Sequence, residues 1–258
     1  MTQYNLSLTK ELIGAWTSRT IRARYQQSAL GWLWAIIQPA AIAAIYTIIF
    51  SYIIPINTGG VPYAVFSYAA VIPWTFLAAS LADMTASLVG NMDLVSKIYF
   101  PREALPIAAM SARLMDFGIA AILLLILMVI FGIPLFHVSW LFLPAILVIQ
   151  MALVLGLGLA CAAANVFYRD VQSLITLGLQ IWFYASPIIY PLSAVPEKYQ
   201  RYYFLNPMAG IIEAYRDVLI YNRFPGSYLL FSALIAFVIF LLGYRFFKKV
   251  EFQFADII

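Results

Sequence analysis

The sequence predicts an all-α integral membrane protein with six transmembrane helices and both termini in the cytoplasm. Three observations carry that reading. Hydrophobic residues make up 64% of the 258-residue chain and charged residues 10%. A soluble domain carries roughly 25% charge, and a soluble core of this size cannot bury so much apolar surface. Charges are also absent from long continuous stretches, each of a length for one or two spans of about 20 residues. Finally, the basic residues are shared unequally among the segments between spans, which fixes an orientation. The same composition excludes a disordered chain. It removes a nucleic-acid reading of the pI near 9.1 as well, because the formal net charge is only +4.

The elements follow in order from the gaps. Residues 3–25 mix Leu6, Leu12, Ile13 and Trp16 with Lys10, Arg19, Arg22 and Arg24. This is the make-up of a helix lying on the cytoplasmic membrane surface, and residues 1–30 are assigned to that segment, with no signal-peptide pattern in it. No charge occurs from Tyr25 to Ala82, and the run from Pro55 through Gly59-Gly60 to Pro62 reads as a turn in the middle. Spans are therefore expected at 31–54 and 62–84, followed by the longest cytoplasmic loop at 85–105. The uncharged stretch from Phe117 to Tyr168 is interrupted between Gly132 and Trp140, giving spans at 106–132 and 140–167. Val171–Pro196 supplies a fifth at 171–191, and Phe224–Tyr244 a sixth at 226–247. Residues 192–224 form a half-apolar external segment. In it Asn206-Pro207 is a helix start, with Asn as cap and Pro in the first turn. Ile211, Ile212, Tyr215, Val218 and Leu219 follow at helical spacing, so short helices are expected at the outer interface or dipping into it. On this parse eleven of the 15 Lys and Arg are cytoplasmic, the bias the positive-inside rule requires. Trp74 and Trp140 fall near span boundaries and read as interfacial anchors.

Much chemistry is excluded. The single His, His137, lies in an external turn, so a His-based metal cluster or a Ser-His nucleophile has no material. No G-x-x-x-x-G-K-[ST] loop is present to cradle the phosphates of ATP. Gly156-x-Gly158 sits inside an apolar helix with no strand before it and reads as close helix packing. Asp83, Asp116 and Asp170 lie toward the cytoplasmic ends of helices rather than at a helix centre, where a proton-coupled carrier places a carboxylate. Arg113 and Asp116, three apart, read as a helical ion pair.

The fifth span carries the most information. At about 100° per residue, a sector of about 120° holds Gln172, Ser173, Thr176, Gln180, Phe183, Tyr184, Pro187 and Tyr190. Such a stripe faces protein or water rather than lipid. Its uncharged hydroxyl, amide and aromatic groups suit a polyhydroxylated ligand, whose C–H faces stack on rings. Ordinary polar packing between helices accounts for it equally well. The first span has a weaker stripe of Trp32, Pro39, Tyr46 and Phe50, for which core packing is the simpler reading.

Four groups of residues, in order along nearly the whole chain, resemble one family. They are Arg22-Ala23-Arg24-Tyr25 continuing to Gly31-Trp32-Leu33-Trp34 and Pro39; Leu94-Val95-Ser96-Lys97-Ile98-Tyr99-Phe100-Pro101-Arg102-Glu103 with Leu105-Pro106; Phe167-Tyr168-Arg169-Asp170; and Ser186-Pro187-Ile188-Ile189-Tyr190-Pro191 with Val195-Pro196, Asn206-Pro207 and Tyr215-Arg216. The pattern is similar to ABC-transporter export permeases for polysaccharides and polyol phosphates. It is most similar to O-antigen export permeases, with capsule and wall teichoic acid exporters as near relatives.

That resemblance implies one transmembrane permease domain over 1–258, working as a homodimer with two separate ATPase subunits. The permease itself would be no enzyme and bind no cofactor; ATP and Mg would sit on the partner. The substrate would be a polysaccharide on an undecaprenyl-type lipid diphosphate, moved across the bacterial inner membrane. Ser96, Lys97, Phe100, Pro101, Arg102 and Glu103 would couple to the ATPase, the bland alternative being a solvated loop. Arg22, Arg24 and Tyr25 would lie where the lipid diphosphate comes in, or else anchor the surface helix to acidic lipid headgroups. Tyr46, Gln172, Thr176, Gln180, Phe183, Tyr184 and Tyr190 would line the glycan channel. Asn206, Pro207, Tyr215 and Arg216, within 192–224, would form an external gate. Arg169 and Asp170 would fix their turn. Competing readings are the same architecture moving a smaller lipid or drug, a membrane-embedded enzyme of lipid or glycan metabolism, and an ATP-independent carrier. The enzyme would need converging carboxylates or His, which the chain does not offer.

Overall fold

The computed structural model describes residues 6–26, 28–98 and 100–255. Among these residues there is no β-strand, and ten α-helices follow in order. They are α1 (Leu6–Tyr25), α2 (Trp34–Ile48), α3 (Tyr63–Ser87), α4 (Met92–Lys97), α5 (Ala104–Ile130), α6 (Leu143–Phe167), α7 (Val171–Tyr184), α8 (Glu197–Tyr203), α9 (Pro207–Leu219) and α10 (Tyr228–Val250). Their starts use proline as chain chemistry requires. Pro207 opens α9 and Pro144 opens α6, in the first turn, where a missing N–H costs nothing. The turn before α3 runs through Gly59 and Gly60 at φ +71° and +86°, a conformation glycine adopts without strain.

Five helical stretches are long and apolar enough to cross a membrane: Gly31–Ile53, Tyr63–Ser87, Ala104–Ile130, Val138–Phe167 and Tyr228–Phe254. Each matches an expected span within a few residues at most ends. The expected fifth span, 171–191, is not one helix. α7 ends at Tyr184 after 14 residues, or about 21 Å of helix at about 1.5 Å per residue, short of the roughly 30 Å of a bilayer core. Two prolines explain the stop. Pro187 and Pro191 lack the N–H the helix needs, and each biases the residue before it away from helical geometry. The chain instead turns through 185–190 into the short helix α8.

The core is organised around α3. It packs against α5, α6, α2, α9 and α7, and 78% of its apolar window is buried. α6 and α10 form the other large contact. Their axes come together at glycines: a Cβ on Gly156 would lie 2.6 Å from the carbonyl carbon of Ile239, and one on Gly243 would overlap the Gly156 carbonyl. Small residues let helices approach this closely in a membrane, so the packing reading of Gly156 holds; Gly158 in turn faces the Met84 side chain. One buried amide ties three helices together. The Gln150 amide donates to the Pro73 carbonyl (2.7 Å) and accepts from the Tyr215 hydroxyl (3.0 Å), joining α3, α6 and α9.

Two segments between the spans gain detail. The segment 85–105 is largely helical, because α3 continues to Ser87 and α4 occupies Met92–Lys97. α9 packs within the bundle against α3, α6 and α10, with Ile211, Ile212 and Val218 fully buried. Its apolar face is broad enough to be covered on several sides at once.

Candidate functional site

Two regions gather the residues the sequence singled out. The first is an aromatic cavity of about 410 Å³ between α2, α3 and α7, lined by Tyr46, Trp74, Ala78, Leu179, Gln180, Phe183 and Tyr184. Helical spacing placed Gln180, Phe183 and Tyr184 on one stripe and Tyr46 on another; folding brings the stripes together. The Tyr46 and Phe183 rings stack at 6.0 Å between centroids, and Phe183 meets Tyr184 edge-on at 5.2 Å. Trp74 closes the back, edge-on to Phe183 at 5.7 Å and to Trp182 at 5.8 Å. Trp74 is therefore a buried wall of this cavity and not an interfacial anchor; its neighbours on α7 take it out of contact with the surroundings. Trp140 too is half-buried against the core. Of the α7 stripe, Thr176, Gln180 and Tyr184 are exposed, whereas Phe183 is half-buried against Tyr46 and Trp74, and Pro187 beyond the helix end is buried.

The other proposed lining residues sit apart from this cavity. The Thr176 hydroxyl bonds back to the Gln172 carbonyl at 2.9 Å, one turn away, and the Gln172 side-chain oxygen is buried with no partner among the described residues. Tyr190 is turned toward the α7–α8 connection, donating to the Tyr184 carbonyl at 3.0 Å and sharing a hydrogen bond with Tyr203. Pro187, by ending the helix, puts Tyr190 off the stripe.

Beside it, Asn206 holds the end of α7 to the start of α9. Its side-chain oxygen caps Met208 N (3.0 Å) and accepts from Trp182 Nε1 (2.8 Å), while its amide donates to Ser186 Oγ (2.9 Å). Pro207 is the buried first residue of α9. Arg216 is wholly buried. Its guanidinium pairs with Glu213 at 2.8 Å, donates to the Ile188 carbonyl at 2.9 Å and lies 3.6 Å above the Phe66 ring. A buried arginine survives only when so fully engaged. The charged partner Glu213 and the backbone that Arg216 holds were not foreseen, because the residues around Ile188 were expected to be helical.

The second region lies at the opposite end of the bundle, where α1 meets α3 and α5. Arg24 pairs with Asp83 (2.6 Å) and Asp116 (2.8 Å), and Arg113 with the same two carboxylates (2.7 and 3.1 Å). The Tyr25 hydroxyl donates to Asp116; burial and that hydrogen bond push its pKa up to about 12. The expected Arg113–Asp116 pair is present, but as one edge of a neutral quartet. Arg24 is thus bound to protein carboxylates here, whereas Arg22 is exposed. Arg24, Arg113 and Asp116 of the quartet, with Tyr25, border a cavity of about 270 Å³ that also takes in Trp34, Gln38, Thr75 and Phe117.

Nearby, the segment expected to be an exposed docking loop divides in two. Ser96 and Lys97, at the end of α4, are exposed, with Lys97 at 3.9 Å from Asp93. Phe100, Pro101, Arg102 and Glu103 are half-buried. Arg102 donates to the Glu251 carbonyl and Glu103 pairs with Lys248 at 2.8 Å, contacts far apart in sequence that no local pattern announces. Arg169 and Asp170 form an exposed turn before α7.

The chain is similar to known proteins over most of its length. Residues 11–220 match the model of the ABC-2 type transporter family. The O-antigen export system permease protein RfbA of Klebsiella pneumoniae is 26% identical over 99% of this chain and 98% of its own length. The protein of the same name from Myxococcus xanthus is 30% identical over 81% of this chain and 80% of its own. The polysialic acid transport protein KpsM of Escherichia coli is 27% identical over 85% of each.

Proposed function

This chain belongs to the ABC-2 type transporter family, and from that premise we propose that it is the permease subunit of an ATP-driven exporter of lipid-linked polysaccharide. The cargo is an O-antigen-like glycan on undecaprenyl diphosphate, moved out across the bacterial inner membrane. Two copies form the pathway and two separate ATPase subunits, carrying ATP and Mg, drive it. The whole of 1–258 acts as one permease domain, with 1–30 on the cytoplasmic surface, 85–105 as coupling segment and 192–224 as external gate. The chain crosses six times with both termini inside. The fifth crossing is assigned to α7 together with the turn residues that follow it to 191.

One observation supports the cargo most directly. The cavity between α2 and α7 offers Tyr46, Phe183 and Tyr184 as stacking faces and the Gln180 amide as a hydrogen-bonding group, with no charge on its wall. Rings suit the C–H faces of sugars, and an uncharged wall lets a long polymer slide. Gln172, Thr176 and Tyr190 extend the lining in the dimer. Asn206, Pro207, Tyr215 and Arg216 hold the gate. Arg22, Arg24 and Tyr25 receive the lipid diphosphate, Arg24 by exchanging a carboxylate for phosphate. Ser96, Lys97, Phe100, Pro101, Arg102 and Glu103 engage the ATPase. The likeness to the polysialic acid transport protein supports capsule polysaccharide as the second cargo reading.

The test is affinity purification of the tagged chain from its native membrane in mild detergent, with assays for a co-purifying ATPase and for bound glycolipid. Near-equimolar ATPase with lipid-linked glycan is the expected result. A chain that comes down alone, even after crosslinking through Lys97, would overturn the exporter reading.

A further inference from the structure

The last residues described have partners that the proposed transport cycle has not used. α10 ends at Val250 and a short helical turn carries the chain on through Glu251–Ala255. This turn meets the coupling segment on three counts. Lys248 Nζ lies 2.8 Å from Glu103 and 3.1 Å from Glu251. Arg102 donates to the Glu251 carbonyl and its guanidinium sits 5.8 Å over the Phe254 ring. The same turn packs against α4. On its other side, Phe254 is fully buried in an aromatic group of three, edge-on to Phe247 at 5.6 Å and to Phe167 at 6.0 Å. Phe167 is the last residue of α6, and after the turn Tyr168-Arg169-Asp170 comes α7, the helix that bears Phe183 and Tyr184.

We propose that the C-terminal segment Lys248–Phe254 is a strut that fixes the coupling segment against the α6–α7 turn, so that displacement of Arg102 and Glu103 reaches α7. Lys248, Glu251 and Phe254 are positioning residues in this view and touch neither nucleotide nor cargo. The physical case rests on stiffness. A loop held only by its own turns absorbs a push. One tied by an ion pair, a charge-assisted bond to backbone and a packed aromatic cluster passes it on, because packed side chains do not deform continuously. The route from loop to α7 is short and runs through contiguous packed contacts, the kind of network that carries energetic coupling. A double-mutant cycle measures that coupling.

The strut rests on the reading of Ser96–Glu103 as the ATPase contact, and two experiments keep the failures apart. In the purified chain alone, cleavage after Arg102 by an arginine-specific protease reports how firmly the loop is held. Lys248→Glu is expected to speed cleavage at least fivefold, and Glu103→Lys with Lys248→Glu to restore it to within twofold of wild type. Unchanged cleavage in the single variant, or no restoration in the pair, overturns the strut whatever the ATPase does. In the complex with the ATPase that co-purifies, the ratio of glycan exported to ATP hydrolysed is the readout. Phe254→Leu, which keeps an apolar side chain, and Lys248→Glu are expected to lower that ratio at least threefold while ATPase binding persists, with the charge-reversed pair recovering it. A proportional fall in export and hydrolysis, or an unchanged ratio, overturns the transmission role. Normal ATPase binding by Arg102→Ala/Glu103→Ala would sink the docking assignment instead.

Discussion

Two arginine clusters sit at opposite ends of the bundle and solve different problems. Arg216 is 0% exposed and reaches only one carboxylate, so its remaining donors go to the Ile188 and Phe66 carbonyls. Its work is to hold a piece of backbone that could not be helical. Arg24 and Arg113 are 22% and 23% exposed and share two aspartates in a closed quartet. Their work is to pin the surface helix α1 to α3 and α5, and each bond in the quartet has a second that can replace it. The difference teaches that the first cluster is sealed inside the fold, while the second is partly open to solvent. A site that admits an anionic headgroup needs the second kind.

Breaking the comparison at its strongest point gives the largest effect. Arg216→Ala strands a buried Glu213 and frees the Ile188 carbonyl; a loss of about 3–5 kcal/mol is expected, read as a collapse of thermal stability in detergent. Stability within about 1 kcal/mol of wild type would mean that Arg216 is not the keystone of the α7–α9 connection. Next comes the quartet. Asp83→Asn with Asp116→Asn leaves two half-exposed arginines without counter-charges, and about 1–3 kcal/mol is expected. The same pair of changes should increase retention of inorganic diphosphate by the purified chain, if Arg24 is to trade carboxylate for phosphate. Arg216→Ala should not. A smaller effect belongs to Tyr25→Phe, about 1 kcal/mol for one hydrogen bond, visible as faster protease access to α1.

The same tyrosine adds a pH test. Its pKa in the fold is raised to about 12, above the ordinary value near 10. The contribution of the neutral hydroxyl is therefore complete below about pH 10 and is lost as the pH rises toward 12. Protease access to α1 should be flat up to about pH 10 and climb above it in wild type but not in Tyr25→Phe. The smallest effect is at the exposed Lys97–Asp93 pair, 76% exposed on the lysine side. Lys97→Ala should leave thermal stability unchanged, so that any defect in ATPase assembly reports the contact itself.

Membrane character, the places of five spans and the Asn206–Pro207 start of α9 could all be inferred from residues a few positions apart; periodicity gave the Tyr46 and Phe183 stripes separately, and only the family resemblance put them on one face. Others could not. Asp83 was visible only as a charge at the end of a span, and nothing local ties it to Arg24, 59 positions away. Gln150 was one of two amides in an apolar helix, a signal that could have been taken up, though not its partners Pro73 and Tyr215. Lys248 looked like one more cytoplasmic charge.

The division has one physical cause. Hydropathy, capping and proline act within a turn or two of the chain and against a solvent that is the same for every helix, so sequence alone determined which stretches become helices and that they belong in a membrane. In hydrocarbon no helix gains by hiding Leu from lipid, so apolar pattern does not choose partners; close approach at small residues and the pairing of scarce polar groups do. Only the tertiary structure therefore decided that Arg24 joins Asp83 and Asp116, that Gly156 meets Gly243, that Arg216 holds the end of a shortened α7, and that the C-terminal turn reaches Arg102 and Glu103.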